Sequence, residues 1–139
     1  MDRPAQEIRH LSKTDPVMKR LIRDIGPCRW RPRVRRSPFE SLARAIAYQQ
    51  LHEKAAESIL GRFVAVFPTG RFPQPDVLLE MNEQALRGAG FSQAKVAVLR
   101  DLAAKTLDGT VPTGAIIRKL DDEAIIERLI AVCGKTVFM

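Results

Sequence analysis

Cysteine is almost missing from this chain. Cys28 and Cys133 are the only two, far apart in 139 residues. Their spacing matches no metal-binding set and no disulfide framework. The expectation is a reduced, cytoplasmic protein (nucleoid-associated in a bacterium) with no metal site. Long apolar runs are missing too. None approaches the ~20 residues that a bilayer-crossing helix needs. The opening MDRPAQEIRH has no apolar stretch behind its charges, so no secretory signal is read. What remains is ordinary globular composition, 45% hydrophobic and 28% charged, which excludes a disordered, collagen-like or coiled-coil chain. The length suits one compact domain.

The formal charge of +7 is unevenly spread. Residues 1–36 hold eleven Lys and Arg against four Asp and Glu, whereas residues 37–139 hold twelve of each. The chain therefore divides into a basic N-terminal helix and loop, 1–36, and an electrically balanced core, 37–139. The densest basic run is Arg29, Arg31, Arg33, Arg35 and Arg36, with Trp30 inside it. Such a run attracts a polyanion through Coulomb forces and counterion release. Its plain alternative is a solvated loop.

Helix signals recur along the whole chain. Asp15-Pro16 opens a helix as cap and first residue, Val17, Leu21, Ile22 and Ile25 form its apolar stripe, and Gly26 ends it. After a Pro- and Arg-rich loop, Ser37-Pro38-Phe39-Glu40 reads as a capping box. Phe39, Leu42, Ala43, Ile46, Ala47 and Gln50 then follow helical spacing. A third helix is predicted over 52–66, with Ala55, Ala56, Ile59, Leu60, Phe63 and Phe67 inside. Short helices at 76–81 and from Asn82 to Arg87 precede a turn between Gly88 and Gly90. Ser92 caps a longer helix with Ala94, Val98, Leu99, Leu102 and Leu107 inside and Gly109 as its stop. Asp121 and Asp122 open a last helix, 122–132, with charge that suits its dipole. No stretch of five or more residues alternates, so no strand is predicted. The fold class is all-α, a helical bundle.

These segments, in this order, resemble the helix-hairpin-helix DNA glycosylases, and within them the 3-methyladenine DNA glycosylase II branch. The resemblance rests on SPFESLARAIAYQQLHEKAAESILGRF (37–63), DVLLEMNEQALRGAG (76–90), GFSQAKVAVLRDLA (90–103) and DPVMKRLIRDIGP (15–27). It covers about residues 12–134. It implies an enzyme that bends double-stranded DNA, flips an alkylated base into a pocket and cleaves the N-glycosidic bond, without metal or organic cofactor. Flipping costs a few kcal/mol, least for a weakly paired lesion. An alkylated purine carries positive charge and leaves readily.

By the same resemblance, the junction Gln49-Gln50-Leu51 faces the DNA, and one side chain fills the gap left by the flipped nucleotide. Leu51 offers an apolar wedge, Gln50 an amide for the orphan base, and both stay open. The alternative is a core Leu51 with two surface glutamines. His52 stands where the family commonly has Ser; it is a poorer cap that still suits contact with a phosphate. Ser92 and Lys95 lie in the first turn of their helix, where free N–H groups and a cation suit a DNA phosphate. The alternative is a plain cap and a solvated lysine. Arg33, Arg35 and Arg36 are the remaining backbone candidates, with Gly134 in the hairpin turn. Trp30, Tyr48 and Phe39 are the local aromatic candidates for a base pocket, although core packing explains Phe39 better.

The tail departs from the family pattern. ERLIAVCGKTVFM starts like the first half of the hairpin, with Leu129, Val132 and Gly134 matching, but residues 135–139 do not continue it. No acidic residue follows Glu127, so the carboxylate that would stabilise the sugar cation is expected to be absent. Asp121, Asp122, Glu123 and Glu127 read as capping and surface charges, and neither Asp101 nor Asp108 has the spacing to replace it. The expected fold is a partial glycosylase fold, catalytically incomplete. The N-terminal stripe would then lack partners, at ~1.5–3 kcal/mol per exposed Leu or Ile, against a typical stability of ~5–15 kcal/mol. A marginal domain, a homodimer covering that face, or dependence on a partner follows. The competing readings are a non-enzymatic DNA-binding helical module and a remnant or interaction module unrelated to DNA.

Overall fold

A computed structural model describes residues 3–31 and 35–132. Arg33, Gly134 and the divergent tail lie outside the described residues. Among the described residues there are nine helices and no strand. None of these helices is long and apolar enough to cross a membrane. The chain forms two compact units, Met1–Arg33 and Val34–Met139.

The first unit is a helical hairpin of α1 (Arg3–Thr14) and α2 (Pro16–Ile25), packed on each other. Helix α1 is not among the predicted elements, although Asp2 precedes it in sequence and Pro4 stands in its first turn. The start of α2 is as expected: the Asp15 carboxylate accepts the N–H groups of Val17 at 2.8 Å and Met18 at 3.3 Å. Gly26 closes it at φ +88°, donating its N–H to the Ile22 carbonyl at 2.9 Å. No residue of α2 is buried, and Val17, Leu21 and Ile25 are 65%, 46% and 80% exposed.

The second unit holds α3 (Pro38–Tyr48), α4 (Glu53–Val66), α5 (Pro75–Glu80), α6 (Glu83–Gly88), α7 (Gln93–Leu107), α8 (Gly114–Ile117) and α9 (Asp122–Ile130). Helix α7 is the central post, packing against α3, α5 and α6, while α4 packs on α3 and α6. The four-residue α8 has a Thr113 cap and was not foreseen. The inward face of α3 is Phe39, Ala43, Ile46 and Ala47, and that of α4 is Ala56, Ile59, Leu60 and Phe63. Three positions expected inside are exposed: Ala55, Ala94 and Leu107. Ala55 is ~100° around its helix from the buried Ala56. In α7 the buried row includes Val96, Val98, Leu99, Leu102 and Ala103, which turns Ala94 outward and leaves Leu107 at the last, uncovered position.

Phenylalanine supplies the bulk of the core. The Phe63 ring meets Phe67, Phe72 and Phe91 edge-on at centroid distances of 5.2, 5.6 and 5.4 Å. Edge-to-face contact suits the opposed charge of ring faces and rims. Phe39, 3% exposed, belongs to the same cluster through Phe72. It is a core residue. No described polar or charged residue is buried.

Candidate nucleic-acid interface

The junction between α3 and α4 is a built turn. Gln49 sits at φ −59°, ψ 131° and Gln50 at φ +56°, and the Leu51 N–H donates to the Tyr48 carbonyl at 3.2 Å. These are the marks of a type II turn over residues 48–51, whose third position requires positive φ and normally takes Gly. Gln50 is the one non-glycine residue with positive φ among the described residues. Left-handed backbone costs a side-chain-bearing residue ~1–2 kcal/mol. The turn exposes Gln50 and Leu51 and leaves Gln49 half-buried. His52 follows as the N-cap of α4; its side chain makes no capping hydrogen bond and is exposed.

The N-terminus of α7 meets this turn. Ser92 caps it, its hydroxyl accepting the Lys95 N–H at 3.2 Å. The Lys95 ammonium reaches across to α3 and donates to the carbonyls of Ala47 at 3.1 Å and Gln49 at 2.8 Å. Burial holds its pKa below the ordinary lysine value. The lysine is therefore not simply solvated. Two of its three donors finish the C-terminal end of α3, where helix carbonyls lack intrahelical partners.

Gln49, Gln50, Leu51, Ser92 and Lys95 line one recess of about 230 Å³ with Ile59, Gly90 and Phe91. The structure thus joins the wedge candidates and the helix-terminus candidates, which the sequence reading kept apart. Two contributors were missed. Gly90, at φ +116°, lies so close to α4 that a Cβ there would stand 2.9 Å from the Ile59 Cγ1. Arg62 ties α4 to the same turn through Nε to the Ala89 carbonyl at 2.8 Å. A glycine pair beside a predicted turn signalled the bend, but nothing in the sequence signalled the close approach.

Other candidates lie elsewhere. Arg35 is exposed; Arg36 is half-buried, 3.7 Å from the Glu40 carboxylate, which also accepts Arg44 at 2.9 Å. These contacts correct the capping-box expectation: Ser37 caps Glu40 at 3.1 Å, but the Glu40 carboxylate goes to the two arginines. Arg35 and Arg36 precede α3, whereas residues 49–52 follow it, so ~16 Å of helix separates the two sets. Trp30 is 73% exposed and Tyr48 38%.

No carboxylate lines the recess. Asp101 pairs with Lys105 at 3.0 Å, and Asp108 accepts the Thr110 N–H at 2.8 Å. Asp121 caps α9 through the Ala124 N–H at 2.8 Å.

Comparison with known proteins gives the family. A model of the HhH-GPD superfamily of base excision DNA repair proteins matches residues 43–137. DNA-3-methyladenine glycosylase 1 of Schizosaccharomyces pombe is 39% identical over 126 residues, covering 90% of this chain and 55% of that protein. The alkylbase DNA glycosidase-like protein mag2 of the same yeast is 30% identical over 127 residues, covering 91% and 60%. The chain therefore spans little more than half the length of these relatives. Among solved structures, the S. pombe 3-methyladenine DNA glycosylase Mag1 in complex with abasic DNA aligns with a TM-score of 0.76 at 37% identity, over 91% of this chain and 62% of that one. A DNA-3-methyladenine glycosidase from Bacillus halodurans aligns with a TM-score of 0.75 at 27% identity, over 96% and 58%. With the family model spanning most of its length, and a helical fold shared with these structures, the chain belongs to the HhH-GPD superfamily of base excision DNA repair proteins.

Proposed function

We propose that this chain is the lesion-reading part of a base-excision glycosylase, binding duplex DNA at alkylated purines whose N-glycosidic bond the whole enzyme hydrolyses. The observation that carries this reading is the exposed type II turn with Gln50 held at φ +56° inside the family match. Strain of this kind persists where the surrounding structure enforces it, and it gathers at functional sites. A turn needed only for chain reversal would take Gly at this position; Gln here keeps an amide at the tip. Gln50 or Leu51 would enter the stack and occupy the space of the extruded nucleotide. Lesion preference then has an energetic source, because an abasic site or weakly paired base costs less to open.

No carboxylate lines the recess to stabilise the nascent sugar cation. The expected behaviour of these 139 residues is preferential binding to lesion-containing DNA without turnover. A single-turnover assay for release of 3-methyladenine and 7-methylguanine from alkylated duplex tests this. Robust release would refute the missing-carboxylate account, and equal affinity for intact and abasic duplex would refute lesion reading. The basic run Arg29, Arg31, Arg33, Arg35 and Arg36 also supports a second reading, a DNA-binding module with no excision step. Extending the chain with a family-like C-terminal half separates the two: excision regained supports the glycosylase.

A further inference from the structure

We propose that Lys95 is a positioning residue: by holding the Gln49 carbonyl it selects the type II form of the 48–51 turn and so aims Gln50 and Leu51 at the DNA. The inference rests on the reading of this turn as the DNA-facing tip. It begins with peptide planarity. The Gln49 carbonyl and the Gln50 N–H belong to one rigid plane, so fixing the oxygen sets ψ of Gln49 and constrains φ of Gln50. Type I and type II turns differ by a flip of that central plane. In type I, Gln49 would have ψ near −30° and Gln50 an unstrained φ near −90°. The observed ψ of 131° puts the carbonyl on the side where the Lys95 ammonium stands 2.8 Å away.

A second contact fixes the lysine itself. The Ala47 carbonyl, one of the last of α3, accepts the same ammonium at 3.1 Å. The carbonyls on either side of it are already satisfied, Ile46 by the Gln49 N–H at 3.3 Å and Tyr48 by the Leu51 N–H at 3.2 Å. Lys95 therefore completes a series in which Ala47 would otherwise go unserved. Its stem leaves α7 one turn after Ser92, and the close contact at Gly90 seats that end of α7 against α4. The lysine works from a fixed base. Partial burial strengthens a charge-assisted hydrogen bond relative to one in open water.

This role is distinct from contact with a phosphate, and DNA binding separates the two. The full chain is titrated with a duplex carrying a tetrahydrofuran abasic analogue and with the intact duplex, each over a salt series. Lys95→Met removes the ammonium but keeps most of the stem. Lys95→Arg keeps a cation with several donors. The expected result is that Lys95→Met loses about tenfold of the preference for abasic over intact duplex, with the salt slope unchanged, and that Lys95→Arg regains most of it. A fall of about one in the salt slope, with the preference retained, would overturn the proposal in favour of a phosphate contact. Unchanged preference and unchanged slope would overturn it as well.

Hydrogen exchange without DNA reads the clamp independently of function. Lys95→Met should exchange the Leu51 amide about tenfold faster, while amides at the centre of α7 keep wild-type protection and report an intact fold. An unchanged Leu51 amide would overturn the clamp. If the wild-type chain itself shows no abasic preference, the lesion reading fails, and the DNA part of this inference with it, while the exchange result still decides the turn.

Discussion

The two ends of α3 are finished by different means. At the start, Ser37 caps Glu40, and Glu40 holds Arg36 and Arg44, all within nine residues of sequence. At the finish, the helix carbonyls are completed by Lys95, more than forty residues away. The first end is self-sufficient and forms with the helix. The second depends on α7 already being docked, and it is the end that carries a strained residue. Strain can be held there because a distant element enforces it, whereas a purely local turn would relax. On the proposed function, one end of this helix would contact backbone charge and the other would present a defined side chain.

The largest expected effect separates these roles on DNA. Changing Arg33, Arg35 and Arg36 together to Ala should lower affinity for abasic and intact duplex alike, by about a hundredfold or more near 0.1 M salt, and reduce the salt slope by up to about three. The abasic-to-intact ratio should stay constant, because phosphate contacts position a protein without reading the site. A change in that ratio would break the division between the two ends. Gln50→Gly tests the other end. Glycine enters the left-handed region freely, so the variant should gain about 1 kcal/mol of stability in denaturant melts yet lose about tenfold of its abasic preference. Gain of stability without loss of preference would leave Leu51 as the side chain that enters the duplex.

A smaller effect concerns stability alone. Ser37→Ala removes the cap and should cost about 1 kcal/mol in denaturant melts, while leaving the abasic preference untouched. If the preference also fell, the start of α3 would be coupled to its finish, and the two ends could not be treated as independent.

The same contrast explains what could be read from the sequence. Most helix starts were legible, because Asp15, Ser37, Asn82, Ser92 and Asp121 act on N–H groups two or three residues away. Most of the buried faces of α3 and α4 followed from spacing, with Ala55 exposed and Gln50 in the turn beyond α3 as the misses, and the all-α class followed from the lack of alternation. Helix α1 was missed although Asp2 and Pro4 offer the same start signal as Asp15-Pro16, because its polar sequence RPAQEIRHLSKT carries only Ile8 and Leu11 as large apolar residues. Four-residue α8 was missed because a single turn has no periodicity to detect. In the site, Gln49, Gln50 and Leu51 were picked out by resemblance. The positive φ of Gln50 left no trace, since Gln is not a turn residue. Nor could spacing show that Lys95 would turn from solvent to two carbonyls of α3. Whatever depended on contacts between distant segments stayed hidden until those segments were docked.

The C-terminal end of α7 provides the finest test, because it is finished locally although its charge opposes the dipole. Asp108 is the C-cap, where a carboxylate faces the negative end of the helix. Its pKa is nevertheless below the ordinary aspartate value, first through the Thr110 hydroxyl, then through the Thr110 N–H, with Lys105 adding a smaller attraction. A lowered folded pKa means that the carboxylate form is favoured by folding. The contribution is present above the usual aspartate pKa of about 3.9 and is lost as pH falls through the lowered folded value. Thr110→Val should therefore raise the Asp108 pKa, seen by NMR titration of its carboxyl. The variant's deficit in thermal stability should shrink as both proteins are acidified below the ordinary aspartate pKa and through the lowered folded value. A deficit independent of pH would assign the loss to packing at Thr110, and this helix end would no longer count as one that a neighbouring residue can finish.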